Sequence, residues 1–205
     1  MITVIDYGIG NVQAFVNVYK RLNIKVNVAN TSSDFLNTTK IILPGVGSFD
    51  RAMKHLESSG LRKTIEKLVL EEEIPILGVC VGMQILAESS EEGDLSGLGW
   101  ISGNVKKFNY SSIMQSHNLP HMGWNNVISK IDNSLFNSIK IDNRFYFLHS
   151  FFFDCIHESN IIGLTNYGFQ FPSAIRKNNI YGVQFHPEKS HDDGKQLLKN
   201  FSEIR

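Results

Sequence analysis

Residues 76–86, ILGVCVGMQIL, join an apolar, strand-like run to the start of an amphipathic segment through a cysteine that lies between two glycines. The order Gly78-Val79-Cys80-Val81-Gly82 is a G-x-nucleophile-x-G elbow with cysteine in place of serine. Such a turn strains the backbone of the nucleophile, and the two glycines leave room for the neighbouring chain. The stretch therefore predicts a strand followed by a helix, with the thiol at the carboxyl edge of an α/β sheet.

The chain on either side of this turn alternates between short apolar runs and segments with helical spacing. Strands are predicted at Ile2–Ile5, 25–29, 40–43 and 74–79, and helices at 11–22, within 49–69 with a break near Gly60, and at 82–88. This rhythm predicts an α/β protein with an open, mostly parallel twisted sheet and helices on both faces.

The second half of the chain lacks the regular alternation of strands and helices, and its pattern predicts an antiparallel extension of the same sheet. Residues 100–126 have weak periodicity, 145–153 are predicted as one aromatic strand, 173–175 and 180–185 as a hairpin across 177–179, and 193–204 as a last helix. No linker or repeat divides the sequence, so residues 1–205 are predicted to form a single domain.

Composition argues against several classes of function. Lys and Arg number 20 and Asp and Glu also number 20, so no basic surface for nucleic acid or for a membrane is expected. The apolar runs are too short to span a bilayer, and the first residues do not have a signal-peptide pattern. The two cysteines, Cys80 and Cys155, do not suggest a disulfide framework and suit the reducing cytoplasm.

The glycine turn after the first strand raises the question of a nucleotide cofactor. Gly8-Ile9-Gly10 begins like a dinucleotide-binding fingerprint, but the third glycine is due at position 13, which is Gln13. No acidic residue with a clear ribose-binding role follows the second predicted strand. We therefore expect no nucleotide or other cofactor and no metal.

A reactive cysteine needs a base and a group that orients that base. His186 follows the strand predicted at 180–185, and Glu188 lies two residues further on, beyond the stiff Pro187. This turn predicts a carboxylate within reach of the imidazole, and a triad is defined by geometry rather than by chain order. Because most free cysteines are buried and inert, Cys155, which has no companion motif, is expected to be structural.

A further glycine-rich turn, Pro44-Gly45-Val46-Gly47, ends another predicted strand. A plain βα turn is the simpler interpretation. Paired glycines also let a peptide turn its N–H toward a carbonyl oxygen held over Cys80, which predicts an oxyanion loop at Val46 and Gly47. The N–H of Val81, at the start of the next helix, is the other predicted oxyanion donor.

Together, three motifs resemble those of the class I glutamine amidotransferases: PGVG at 44–47, GVCVGMQ at 78–84 and HPE at 186–188. Further stretches are similar to the glutaminase subunits of imidazole glycerol phosphate synthases, namely IDYGIGN at 5–11, SSEEG at 89–93, LPHMGWN at 119–125, FYFLHSFF at 145–152 and GVQFHPEKS at 182–190. The resemblance covers essentially the whole chain.

The resemblance implies hydrolysis of L-glutamine to glutamate and ammonia. Cys80 would attack the carboxamide, His186 would take the thiol proton and pass it to the leaving ammonia, and Glu188 would orient His186. The implied glutamine contacts are Gly47, Gln84, Glu92, Ser150 and Phe151. Gln84 is one helical turn past Cys80 and is expected on the same face.

The resemblance also implies a heterodimer with a (β/α)₈-barrel subunit, which receives the ammonia through an internal channel. The barrel would make imidazole glycerol phosphate, for histidine synthesis, and an aminoimidazole carboxamide ribonucleotide. The residues implied at or near the barrel-facing surface are Asn11, Met122, Trp124, Tyr146 and Lys189. For Trp124 a core position is the alternative, because tryptophan is usually highly buried.

The sequence departs from the family pattern at three places. Val81 stands where leucine is usual, Phe151 stands where tyrosine is usual, and 108–119 is a polar insertion. The acceptor of the ammonia is therefore open, since close paralogues serve the amination or amidination of surface-polysaccharide sugars. A catalytically idle interaction subunit and a stand-alone cysteine hydrolase are the alternatives from other classes.

Overall fold

The structure is a computed structural model, and it describes residues 1–108, 118–130 and 133–204. The α-helices there are α1 (Val12–Arg21), α2 (Phe49–Ser58), α3 (Arg62–Glu66), α4 (Val81–Gln84) and α5 (His191–Glu203). The strands there are β1 (Ile2–Ile5), β2 (Val26–Ala29), β3 (Lys40–Gly45), β4 (Ile76–Cys80), β5 (Ser89–Ser90), β6 (Gly103–Lys107), β7 (His121–Asn125), β8 (Ile128–Ser129), β9 (Phe145–His149), β10 (Phe151–Cys155), β11 (Ile161–Asn166), β12 (Gln170–Lys177) and β13 (Ile180–Val183).

Eight strands of the described chain form the main sheet, in the order β2-β1-β3-β4-β13-β12-β11-β8. The strands from β2 to β13 in this order run parallel, whereas β12, β11 and β8 continue the sheet with antiparallel pairing. The predicted fold class, an open and mostly parallel α/β sheet with an antiparallel extension, is confirmed. Because β13 is the parallel neighbour of β4, the chain that leaves β13 passes close to the end of β4.

The central strands are apolar along their whole length because both of their faces are covered. Every residue of β4 is buried, as expected for a parallel strand between layers of helices. Helix α1 buries Phe15 and Tyr19, and the hydroxyl of Tyr19 donates to the carbonyl of Leu198 in α5 over 3.3 Å. Helix α2 instead contacts α4, the short helix that follows Cys80.

Two smaller sheets lie beside the main one in the described chain. One contains β10, β6 and β5, and the other pairs β7 with β9 in antiparallel register. In the second pair Met122 lies opposite Leu148 and Trp124 opposite Tyr146, so these four side chains share one face. The other face of this pair is buried and carries His121, Phe145, Phe147 and His149.

The helix predicted at 82–88 is wrong beyond its first turn, because α4 ends at Gln84. The carbonyls of residues 85–87 accept hydrogen bonds from amides within residues 98–101. A later loop thus satisfies carbonyls that a longer helix would have satisfied with its own amides. The helical spacing of the apolar side chains gave no sign of this loop.

Two other segments also differ from their predictions. Residues 100–126, whose weak periodicity gave no strand prediction, contain β6 and β7, and the single strand predicted at 145–153 is two strands in different sheets that part at Ser150. The hairpin is confirmed with Lys177 opposite Ile180, although its first strand begins earlier, at Gln170. Most of the insertion predicted at 108–119 lies outside the described residues.

Buried apolar side chains of the described residues form one continuous cluster around the main sheet. This core takes in both sides of the elbow, since Val79, Cys80 and Val81 all belong to it. The core therefore fixes the position of Cys80 at the end of β4.

Helices in the described part of the chain are too short or too polar to cross a membrane.

Candidate active site

The elbow at Cys80 has the backbone strain that its sequence predicts. Cys80 ends β4 with φ 56° and ψ −114°, which is the left-handed half of conformational space. A Cβ added to Gly82 would lie 2.0 Å from the carbonyl oxygen of Leu43, and one added to Gly78 would lie 2.5 Å from the carbonyl oxygen of Gly82. The close approach of β3, β4 and α4 therefore requires both glycines, and it turns the thiol out of the sheet.

A cavity of about 310 Å³ opens at this edge of the sheet. Cys80, His186 and Val81 line it, together with Val46 and Gly47 of the predicted oxyanion loop. All five predicted glutamine contacts also line it: Gly47, Gln84, Glu92, Ser150 and Phe151. The structure thus brings the nucleophile, the base, the oxyanion loop and the substrate contacts of the sequence prediction to one place.

His186 and Glu188 form a buried pair behind the cavity. The Nδ1 atom of His186 lies 2.8 Å from Oε1 of Glu188, and both side chains are almost fully buried. Burial lowers the pKa of His186, but the neighbouring Cys80 and the hydrogen-bonded Glu188 have the larger combined effect and raise that pKa above its usual value. The site therefore favours an imidazolium held between the sulfur and the carboxylate.

The predicted oxyanion loop follows directly from β3, beside the elbow. Gly47 has φ 90°, which glycine adopts without penalty, and Val46 is 41% exposed. The hydroxyl of the buried Tyr7 donates to the carbonyl of Pro44 over 2.7 Å and anchors the start of the loop. The loop is thus fixed at Pro44, and Val46 and Gly47 beyond it line the cavity.

Two of the predicted glutamine contacts are already held by the protein. The Nε2 atom of Gln84 donates to the carbonyl of Phe151 over 3.2 Å, which ties α4 to the start of β10. The carboxylate of Glu92 accepts from the backbone N–H of Phe49 over 2.8 Å, at the first turn of α2. These contacts set the side chains before any ligand arrives, as a preformed binding site requires.

Three of the five predicted barrel-facing residues, Met122, Trp124 and Tyr146, lie on the face of the β7–β9 pair that also carries Leu148 of the cavity wall. Met122 is 65% exposed and Trp124 40%, so Trp124 is not a core residue. The Trp124 ring stacks on His191 with 4.9 Å between centroids, and Lys189 Nζ lies 5.8 Å from the centroid of the Tyr146 ring. Asn11, the remaining residue of this set, is exposed immediately before α1.

Sequence reasoning missed three buried polar side chains around the cavity, Gln184, His121 and His149. His149 lines the cavity, its Nδ1 donates to the carbonyl of Phe151 over 2.8 Å, and its Nε2 lies 2.9 Å from Nδ1 of His121. Burial, followed by the charge of His121, lowers the pKa of His149 to about 3, so this ring is neutral. Within the described residues, no three His, Cys, Asp or Glu side chains are grouped to hold a metal.

Fold and cavity together define an α/β protein with a cysteine elbow, an adjoining histidine–glutamate pair and a substrate-sized opening at the carboxyl edge of its sheet. The chain belongs to the glutamine amidotransferase class-I family, which it matches over residues 3–204. The family match thus spans every element that builds the cavity.

Curated relatives match over the full length of both chains. The imidazole glycerol phosphate synthase subunit HisH of Bdellovibrio bacteriovorus is 54% identical, that of Leptospira interrogans is 50% identical, and that of Methanocaldococcus jannaschii is 45% identical, each over 100% of both proteins. Relatives this similar over this length share the whole arrangement of elements, and not the elbow alone.

Solved structures show the same fold at much lower identity. A crystal structure of a glutamine amidotransferase has a TM-score of 0.74 at 16% identity, with 98% of this chain and 100% of that chain covered. The PurLQS structure from Thermotoga maritima has a TM-score of 0.72 at 19% identity, with 98% and 97% covered. At identities this low, the likeness to these structures shows a shared fold alone.

Proposed function

We propose that this chain is the glutaminase subunit of an imidazole glycerol phosphate synthase and hydrolyses L-glutamine to glutamate and ammonia. The observation that carries the proposal is the full-length identity of 54% to a subunit of that name, in a chain whose Cys80 and His186 line one cavity. The resemblance found in the sequence motifs points in the same direction.

The chemistry follows from the groups at the cavity. Cys80 in its thiolate form attacks the carboxamide carbon, and the N–H groups near Val46, Gly47 and Val81 donate hydrogen bonds to the developing oxyanion. His186 donates its proton to the leaving nitrogen, which departs as ammonia and leaves a thioester on Cys80. His186 then takes a proton from water, whose oxygen cleaves the thioester to glutamate, and Glu188 keeps the imidazole oriented throughout.

The ammonia in this proposal passes to a (β/α)₈-barrel subunit, in a heterodimer in the cytoplasm. Ammonia released into neutral water becomes protonated and loses its nucleophilic lone pair, so transfer inside a complex preserves its reactivity. The exposed apolar face of β7 and β9, with Met122, Trp124 and Leu148, lies beside the cavity and supports docking there. The barrel would then form imidazole glycerol phosphate and the aminoimidazole carboxamide ribonucleotide.

The test replaces the nucleophile in the assembled complex. Cys80→Ala is expected to abolish glutamine-dependent synthesis and to leave synthesis from added ammonia intact, because the barrel performs the second reaction. The matched control is Cys155→Ser, which changes the other thiol of the chain. Loss of both activities in Cys80→Ala would make Cys80 a structural residue and overturn the proposal.

Complementation separates the proposal from its alternatives. A histidine auxotroph that lacks this subunit is expected to grow when the chain is supplied with its own barrel partner. Failure to complement, with glutaminase activity retained, would favour the surface-sugar paralogue. A Cys80 that no glutamine-analogue electrophile labels in the complex would favour the idle subunit, and full activity without any partner would favour the stand-alone hydrolase.

A further inference from the structure

Gln184 is a fully buried polar residue whose side chain touches the predicted nucleophile. It follows β13 and precedes His186 by two residues, and its side chain has no exposed surface. Its Nε2 atom lies 3.8 Å from Sγ of Cys80, and its Oε1 atom accepts from Nε2 of Gln84 over 3.0 Å. One side chain therefore links the sulfur to a predicted glutamine contact.

The direction of this hydrogen-bond chain is set at its far end. The carbonyl of Phe151 accepts only, so the group of Gln84 that faces it over 3.2 Å is the NH₂. The second hydrogen of the same NH₂ then meets Oε1 of Gln184. With its oxygen engaged by Gln84, Gln184 turns its own NH₂ toward the sulfur of Cys80.

We propose that Gln184 is a positioning residue that donates a hydrogen bond to the Cys80 thiolate and fixes the orientation of the glutamine-binding side chain of Gln84. The proposal rests on the proposed function, because it assigns these roles within the glutaminase site. A donor to an anion stabilises the anion, so the amide of Gln184 acts on the sulfur together with His186.

The same chain of contacts assigns a polarity to Gln84. Both hydrogens of its NH₂ are used within the protein, and among the described residues no hydrogen bond uses its Oε1. Gln84 lines the cavity, so it offers an acceptor there. A glutamine ligand would meet this oxygen with one of its N–H groups, either the α-ammonium or the carboxamide.

Alkylation of Cys80 as a function of pH tests the proposal on the full-length chain. Iodoacetamide reacts with the thiolate, and peptide mass analysis separates Cys80 from Cys155, whose thiol has its pKa raised to about 12 by burial and by the nearby Asp154. The variants are Gln184→Met, which keeps the volume, and Gln184→Asn, which keeps an amide that is too short to reach the sulfur. Thr3→Val is the matched control, because it removes one buried hydrogen bond, to Thr38, away from the cavity.

Both Gln184 variants are expected to react about tenfold more slowly at neutral pH, with the midpoint of the alkylation curve about one pH unit higher, the effect of losing one hydrogen bond to a charged group. The concentration of glutamine that half-protects Cys80 is also expected to rise several-fold, because Gln84 loses its fixed orientation. Thr3→Val keeps both native values.

Two outcomes overturn the proposal and are distinguishable. If native Cys80 reacts at neutral pH and either folded Gln184 variant has the native midpoint, the role of Gln184 is wrong while the proposed function stands. If native Cys80 does not react at neutral pH, and glutamine-analogue electrophiles also leave it unlabelled in the complex with the barrel subunit, both the proposed function and the role of Gln184 are wrong. Thermal unfolding of each variant identifies the folded ones.

Discussion

The sulfur of Cys80 lies among groups that each address one part of its chemistry. His186 carries the proton, Gln184 offers an amide donor at 3.8 Å, and the Leu148 carbonyl lies 3.9 Å away as an acceptor for the neutral thiol. The first two groups are donors that stabilise a thiolate, whereas the Leu148 carbonyl is a single acceptor that favours the thiol. The residue-level arrangement therefore favours the charged nucleophile over the neutral one.

The pair of His186 and Glu188 gives a prediction at the residue scale. Glu188→Gln replaces the carboxylate 2.8 Å from Nδ1 and should lower glutamine-dependent kcat by about 10²-fold or more. Because Glu188 raises the pKa of His186, its loss lowers that pKa, and the alkaline limb of the pH–rate profile should move to lower pH. Steady-state rates of the complex across pH measure both effects.

Glu203→Gln, at an exposed end of α5, is the control for loss of one carboxylate and should behave as native. An unchanged kcat in Glu188→Gln would show that His186 is oriented without the carboxylate. The other carboxylate oxygen of Glu188, Oε2, is buried and has no hydrogen-bond partner within the described chain. In that case neither oxygen of Glu188 would have a role in catalysis.

The residues of the candidate site differ in how well the sequence predicts them. Cys80, His186 and Glu188 were predicted because each belongs to a short local motif whose spacing has a geometric meaning. Gln184 and His149 were missed because their contacts come from elsewhere in the chain: Gln184 meets Cys80 and Gln84, and His149 meets His121. A motif reports local geometry, whereas a buried polar contact depends on how distant elements meet.

At the scale of elements, the elbow depends on how closely β3 and β4 approach α4. Gly82→Ala would place a methyl group 2.0 Å from the carbonyl oxygen of Leu43, which is backbone and cannot turn away. The variant should lose about 1–3 kcal/mol of unfolding free energy, and its elbow should shift enough to lower activity. Urea unfolding of the isolated chain measures the first effect.

Gly60→Ala is the comparison for that variant. An added Cβ at Gly60 meets no atom within 4 Å, so only the strain of φ 71° remains, about 1 kcal/mol. Equal destabilisation of the two variants would show that the contact at Gly82 relaxes without penalty. Activity retained at the native level in Gly82→Ala would show that the elbow does not need this approach.

Elements were predicted well where one stretch of sequence decides them and poorly where another stretch does. β4 and α1 carry their own apolar pattern and lie close to their predicted bounds. The helix after Cys80 ends early because amides of the loop at 97–101 donate hydrogen bonds to the carbonyls of residues 85–88. Strand β6 forms because β10 pairs with it. Such long-range hydrogen bonds leave no period in the sequence for a prediction to use.

At the scale of the whole molecule, the exposed face of β7 and β9 should act in assembly and not in folding. Trp124→Ala removes a large, 40% exposed ring that stacks on the surface residue His191 and meets the ring of Tyr146 edge-on. The variant should weaken affinity for the barrel subunit by about tenfold or more, with at most a small change in unfolding free energy. Titration calorimetry of the two subunits measures the affinity.

Leu70→Ala is the matched control for the interface variant. Leu70 is 52% exposed and precedes β4, at the opposite end of that strand from Cys80. It should leave the affinity unchanged. An unchanged affinity in Trp124→Ala would place the docking surface elsewhere on the molecule.

The stability of the whole molecule should fall in mild acid because of His149. Burial and the charge of His121 lower its pKa in the folded chain from the usual 6.5 to about 3. Between these two pH values the unfolded chain therefore binds a proton at this histidine and the folded chain does not. This contribution to stability is present above about pH 6.5 and is lost as pH falls toward 3, by at most about 1.4 kcal/mol per pH unit. His149→Gln removes the titrating group but keeps a hydrogen-bond donor for the Phe151 carbonyl. The difference in unfolding free energy between the native protein and this variant, measured by urea unfolding, should therefore become smaller from pH 8 to pH 5. The control is His157→Gln, at an exposed histidine, whose unfolding free energy should change with pH as that of the native protein does. If the difference between native and His149→Gln does not change with pH, the fold does not hold His149 neutral.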